Sequence, residues 1–191
     1  GVPAEGASLA YVMKSIHLQH GGKLSLARIL SGHIDDGATV QASSGESGRV
    51  SGIVPVSGSQ EGKRSTAQAG DTVNLGKLDA VKTGDTLSTG KTTPAALVEL
   101  RPPAPVLATA LSAHDRKDDV KLGQALARLS EEDPSYIIVH NPRTHDIVLW
   151  GQGEMHLRVA LERLHDRFGV SVKQHAPSVG YQETIRKHAT E

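Results

Sequence analysis

The sequence predicts a small all-β barrel followed by an α+β domain of ferredoxin-like order, and three observations carry that expectation. Glycines crowd residues 1–93, where short runs alternate apolar and polar positions. Prolines cluster at 102, 103 and 105. Beyond them the apolar spacing changes from a period of two to one of 3.6.

In the first half, SLAYVMKSI (8–16), KLSLARILSG (23–32) and RVSGIVPV (49–56) read as strands. The pairs Gly21-Gly22, Asp36-Gly37, Ser57-Gly58, Gly70-Asp71 and Gly84-Asp85 supply turns, since glycine tolerates positive φ. Many short strands without a helical pattern imply a closed barrel, because closure removes exposed edges. The run ELRPPAPVL then breaks regular structure, as three prolines stiffen the backbone and disfavour helix.

The second half opens with PVLATALS as a strand. Leu122, Ala125, Leu126 and Leu129 fall at i, i+3, i+4 and i+7, the apolar stripe of a helix that stops before Pro134. YIIVH and DIVLW are strands joined through NPRTH. Leu157, Leu161, Leu164 and Phe168 mark a second helix ended by Gly169, and VSVK follows as a strand. The order is β-α-β-β-α-β. The expected division is a barrel over 1–100, a proline linker over 101–105, a ferredoxin-like domain over 106–180 and the start of a further domain over 181–191.

Composition narrows the function. Aromatic residues are 3% of the chain, which argues against base-stacking platforms for single-stranded RNA. Lys plus Arg equals Asp plus Glu at 21 each, so any nucleic-acid contact must come from local patches. There is no cysteine, hence no disulfide or thiolate metal site. No apolar run approaches the roughly 18 residues of a membrane span. With no signal peptide and no initial Met, the chain reads as a piece of a cytoplasmic protein.

STGKTT at 88–93 imitates a phosphate loop, but Asp85 stands where the first glycine belongs and Pro94 follows closely. A structural loop is the better reading, and no cofactor is expected in this chain. Glu154 and His156 lie two residues apart, so on a helix they diverge by roughly 200° and cannot serve one metal or one proton. Glu154 suits the positive end of a helix, with Gly153 before it allowing close backbone approach. His17, His20, His140 and His145 lack the spacing of a zinc site. Arg128, Glu131, Glu132 and Asp133 form an exposed helix end whose acidity opposes the helix dipole, a cost consistent with either an intermolecular contact or a solvated face. The basic candidates for a phosphate backbone are Lys23 and Arg28 in the barrel, Lys63 and Arg64 in a loop, and Arg163 and Arg167 on the last helix.

Four strings carry a resemblance: GKLSLARILSGHIDDG (22–37), AGDTVNLGKLDAVKTGDTLS (69–88), ALARLSEEDPS (125–135) and GQGEMHL (151–157), with YQETIR closing the order. Together they resemble the second and third domains of bacterial elongation factor G, along nearly the whole chain. The family usually reads Gly-Met-Gly-Glu-Leu-His-Leu followed by an acid, where this chain has Gln152, Met155 and Arg158. That departure suggests a diverged, elongation factor G-like paralogue.

The resemblance implies non-catalytic domains that contact the ribosome, including small-subunit RNA and ribosomal proteins, and couple GTPase state to translocation. GTP and Mg would bind in a GTPase domain outside this sequence, and the parent would be a ribosome-dependent GTPase working as a monomer. The alternative within the superfamily is a ribosome-protection or ribosome-rescue GTPase. Candidate ribosome or interdomain contacts are the six basic residues together with Gly151, Gly153, Glu154 and His156.

Overall fold

A computed structural model describes residues 6–18, 22–56, 62–141 and 146–177. The expectations placed on Gly21, Ser57-Gly58, the NPRTH connection, His20, His145 and 181–191 lie wholly or partly outside those residues.

Among the described residues, nine strands form the first unit: β1 (Leu9–Leu18), β2 (Gly22–Ser31), β3 (His33–Asp35), β4 (Thr39–Ala42), β5 (Ser47–Arg49), β6 (Ile53–Pro55), β7 (Thr66–Gln68), β8 (Thr72–Gly76) and β9 (Thr86–Ser88). Seven of them make one antiparallel sheet in the order β5-β4-β9-β1-β2-β8-β6, and β3 pairs with β7. Alternation along β2 buries Lys23, Ser25, Ala27 and Ile29 while Arg28 faces out. The core is aliphatic, with Val12, Ile29, Ile53, Leu75 and Leu87 fully buried.

The run 49–56 is not one strand, as its apolar pattern suggested. It breaks at Ser51-Gly52 because the segment changes partner. Val50 exchanges backbone bonds with Gly37 and Ala38, and then Ser51 and Gly52 bond Gly76. The two outer strands are therefore halves of one segment, which curls the sheet and joins its edges. A Cβ on Gly76 would meet the Ser51 carbonyl oxygen at 2.4 Å, so this crossing requires glycine.

The second unit holds β10 (Leu107–Ala113), α1 (Asp119–Glu132), β11 (Ile137–His140), β12 (Ile147–Gly151), α2 (Glu154–Asp166) and β13 (Val172–His175). Its sheet order β11-β12-β10-β13, antiparallel throughout, is the ferredoxin-like arrangement. Leu122, Ala125, Leu126 and Leu129 of α1 pack with Leu157, Ala160 and Leu164 of α2 over Leu111 and Leu149. Gly169, at φ +60°, ends α2 with its N–H on the His165 carbonyl. The last strand starts two residues later than VSVK implied, since Val170 is buried and its N–H bonds the Leu164 carbonyl. The sheet face away from the helices leaves Ile137, Val139 and Trp150 partly open to solvent.

Candidate functional site

The turn that ends α1 carries three consecutive carboxylates, Glu131, Glu132 and Asp133, at the negative end of a helix dipole. Sequence reasoning placed them on an exposed end. The structure instead packs them against the barrel and against α2, and each carboxylate has a donor.

Glu131 accepts from Lys23 Nζ at 2.8 Å and pairs with His17 Nε2 at 2.9 Å. Lys23 leaves only 2% of its side chain exposed and also donates to the Asp79 carbonyl at 3.0 Å. Thr83 donates its hydroxyl to the Glu131 carbonyl and accepts the Ser15 N–H, so one side chain ties both units. Burial pushes the Glu131 carboxyl up, but hydrogen bonds from Lys23 and His17 outweigh it and hold the group below the usual glutamate range.

Glu132 is more deeply placed, with 3% of its side chain exposed. Arg167 grips it through two N–H groups at 2.8 and 2.9 Å, and the His17 N–H donates to it at 2.7 Å. Arg167 also donates to the His17 carbonyl at 2.6 Å, reaching from α2's C-terminal turn to β1. Burial raises the Glu132 carboxyl, and the bonds from Arg167 and His17 more than reverse that. The same bond to Glu132 raises Arg167. A buried carboxylate needs such a partner, since desolvation costs several kcal/mol per ion.

Asp133 turns the other way. It accepts from the Ser135 hydroxyl and N–H and meets His156 Nε2 at 3.1 Å. His156 Nδ1 accepts the Gln152 N–H at 3.0 Å, which defines its acceptor nitrogen and leaves Nε2 to face Asp133. Tyr136 stacks on the His156 ring at 3.8 Å and donates its hydroxyl to the His156 carbonyl at 2.8 Å. Burial pushes the Tyr136 phenol up to about 12, aided by the Asp133 charge. A Cβ on Gly151 would stand 2.9 Å from Leu157 and 3.1 Å from His156, so the close approach falls at Gly151. Gly153, where the sequence suggested it, has no neighbour within 4 Å of its Cβ position. Gln152 donates its side-chain N–H to the Pro103 carbonyl at 2.8 Å and fastens this loop to the proline segment.

The ten sequence candidates thus separate. Lys23 and Arg167 join the two units, His156 ties the end of α1 to α2 through Asp133, and Gly151 lets the end of β12 approach the start of α2. Arg28 is exposed and donates to the Thr72 hydroxyl; Lys63 and Arg64 are exposed, with Arg64 bridged to Ile53 through its backbone. Glu154 and Gly153 lie at the start of α2, and Arg163 is half-buried. His17, Thr83 and Tyr136 were missed. The only sequence signal for the first two was the unexplained acidity of the turn they meet. After Ser88 the chain forms bends and no helix, so 88–93 lacks the helix N-terminus of a phosphate loop. Among the described residues no group of three or more His, Asp or Glu side chains could hold a metal.

Comparison with known proteins fits this two-part build. Residues 22–88 match elongation factor Tu domain 2, and residues 102–176 match Elongation Factor G, domain III. An elongation factor G-like protein of Synechocystis sp. is 42% identical over 182 residues, 95% of this chain and 26% of the relative. One from Mycobacterium tuberculosis is 35% identical over 198 residues, again 95% of this chain and 28% of the relative. A crystal structure from Thermus thermophilus superposes with a TM-score of 0.79 at 33% identity, covering 96% of this chain and 28% of that one. The chain spans about a quarter of the length of the curated relatives it matches. With an elongation factor Tu-type barrel running into an elongation factor G domain III, in one order and over nearly its full length, the chain belongs to the elongation factor G family.

Proposed function

We propose that this chain is the transmission element of a ribosome-dependent, elongation factor G-like translational GTPase, itself without catalytic residues. The observation that carries the reading is the contact between barrel and third domain. Lys23, His17 and Arg167 hold two carboxylates of one helix turn, so displacement of the barrel is passed to α1 rather than lost in the proline segment. In this reading GTP and Mg bind a GTPase domain elsewhere in the full protein, which acts as a monomer in the cytoplasm. Arg28, Lys63 and Arg64 lie exposed on the barrel, as contact with small-subunit RNA or ribosomal proteins requires. The apolar face of Ile137, Val139 and Trp150 supports packing against later domains of the same polypeptide.

The test is GTP hydrolysis by the full natural protein with and without ribosomes, beside the 191-residue chain and a full-length Arg167→Ala variant. The expected result is ribosome stimulation in the full protein and none in the isolated chain. The variant hydrolyses GTP but loses most ribosome-coupled movement, read by a translocation assay. Absence of stimulation in the full protein would remove the proposal, as would a variant that translocates normally.

A further inference from the structure

The contact between the two units leaves a cleft beside it, and the geometry points to that cleft as a binding site for a phosphate group. It encloses about 380 Å³ between α1, the C-terminal turn of α2 and the end of β1. Lys121, Gln124 and Arg128 line one wall at i, i+3 and i+7, the spacing that puts side chains on one helix face. Arg167 and His17 close the far side.

Charge and hydrogen-bond capacity make the wall selective for an anion. Among the described residues Arg128 is exposed and makes no hydrogen bond or ion pair, so its whole guanidinium fork is free for a tetrahedral oxyanion. Lys121 donates to the Gly169 carbonyl at 2.8 Å, which fixes its ammonium over the cleft and leaves two donors. Gln124 adds an amide donor. Asp166 is the one acid on the lining and is paired with His165 at 2.8 Å. The neighbouring carboxylates of the turn are occupied, Glu131 by Lys23 and Glu132 by Arg167. Lys121 and Arg128, two cations that no carboxylate pairs, outnumber the single acid Asp166 on the lining and leave a positive concavity. A bound phosphate would also touch Arg167, so occupancy of the cleft and the grip on Glu132 draw on the same guanidinium. The site stands on this geometry and does not require the ribosomal reading.

Nuclear magnetic resonance of the 191-residue chain tests it, titrating inorganic phosphate in one arm and a five-nucleotide oligouridylate in the other. Phosphate is expected to shift the signals of Lys121, Gln124 and Arg128. Arg128→Ala should weaken its affinity roughly tenfold, as loss of a hydrogen bond to a charged group does. Lys91→Ala, an exposed cation outside the cleft, should leave it unchanged. Arg128 is exposed on a helix, where alanine preserves folding. Tighter binding of the oligonucleotide through the same three residues identifies a nucleic-acid backbone, and equal binding identifies a free phosphate. Shifts spread evenly over surface cations, or equal affinity in the Arg128→Ala and Lys91→Ala variants, overturn the assignment.

Discussion

The acidic turn of α1 divides into two regions that use the same chemistry for different ends. Glu131 and Glu132 reach across to β1, β2 and Arg167 and tie the barrel to the ferredoxin-like unit. Asp133, one residue on, stays within the ferredoxin-like unit and holds His156 under Tyr136. The first region's contacts to Lys23 and to the His17 N–H span 108 and 115 residues of sequence and its pair with Arg167 spans 35, whereas the Asp133–His156 and Tyr136–His156 contacts span only 23 and 20. One teaches how a domain pair is held in register; the other how a single domain fixes the start of its second helix. Losing the first should free the domains from each other, and losing the second should loosen one domain alone.

The largest effect is expected from Arg167→Ala, which leaves Glu132 desolvated without its guanidinium. Breaking a buried pair from one side costs about 3 kcal/mol. Hydrogen exchange should then rise at β1 and along the last turn of α1 together. Acid should act on the same contact. Glu131 and Glu132 titrate below their ordinary value of 4.5 in the folded protein, so their contribution is complete above that pH and fades as pH falls through the lowered folded values. Unfolding followed at several pH values should show stability rising with pH across that window, and Glu132→Gln should flatten the slope. Asp133, also lowered, from 3.8, contributes fully above that pH, and its contribution fades as pH falls through its folded value, affecting only its own unit.

His156→Ala is expected to cost about 2 kcal/mol, through the lost acceptor for Gln152 and the lost stacking on Tyr136. Trp150, the only tryptophan, lies beside this region and reports it by fluorescence during urea unfolding. Protection of the barrel amides should not change. Tyr136→Phe removes a single hydroxyl bond and should cost about 1 kcal/mol. Arg158→Ala breaks an exposed i,i+4 pair with Glu162 at 3.2 Å and should stay within about 0.5 kcal/mol. A larger loss there would mean that Arg158 has a role beyond its own helix surface.

Local periodicity carried much of this structure. Leu122, Ala125, Leu126 and Leu129 mark α1 because a helix repeats every 3.6 residues, whatever it packs on. Gly37, Gly70 and Gly84 mark turns because each adopts positive φ. Where an element depends on distant partners, local pattern fails. RVSGIVPV alternates like one strand, and only the approach of Gly76 shows why it breaks. The acidic turn is the clearest case for the site. Its cost was visible in Glu131, Glu132 and Asp133, but Lys23 and His17 lie more than 100 residues upstream with no spacing that links them. His156 was legible as part of a motif, while its role needed the ring of Tyr136 above it.

The central claim, that Glu131 and Glu132 hold the two domains in one relative position, is tested most directly by a distance. The chain contains no cysteine, so cysteines placed at the exposed positions Thr39 and Lys173 can carry spin labels without background. Electron paramagnetic resonance should give one narrow distance distribution in the parent, broadening markedly in a Lys23→Ala, Arg167→Ala double variant. An unchanged width in that variant would contradict the account.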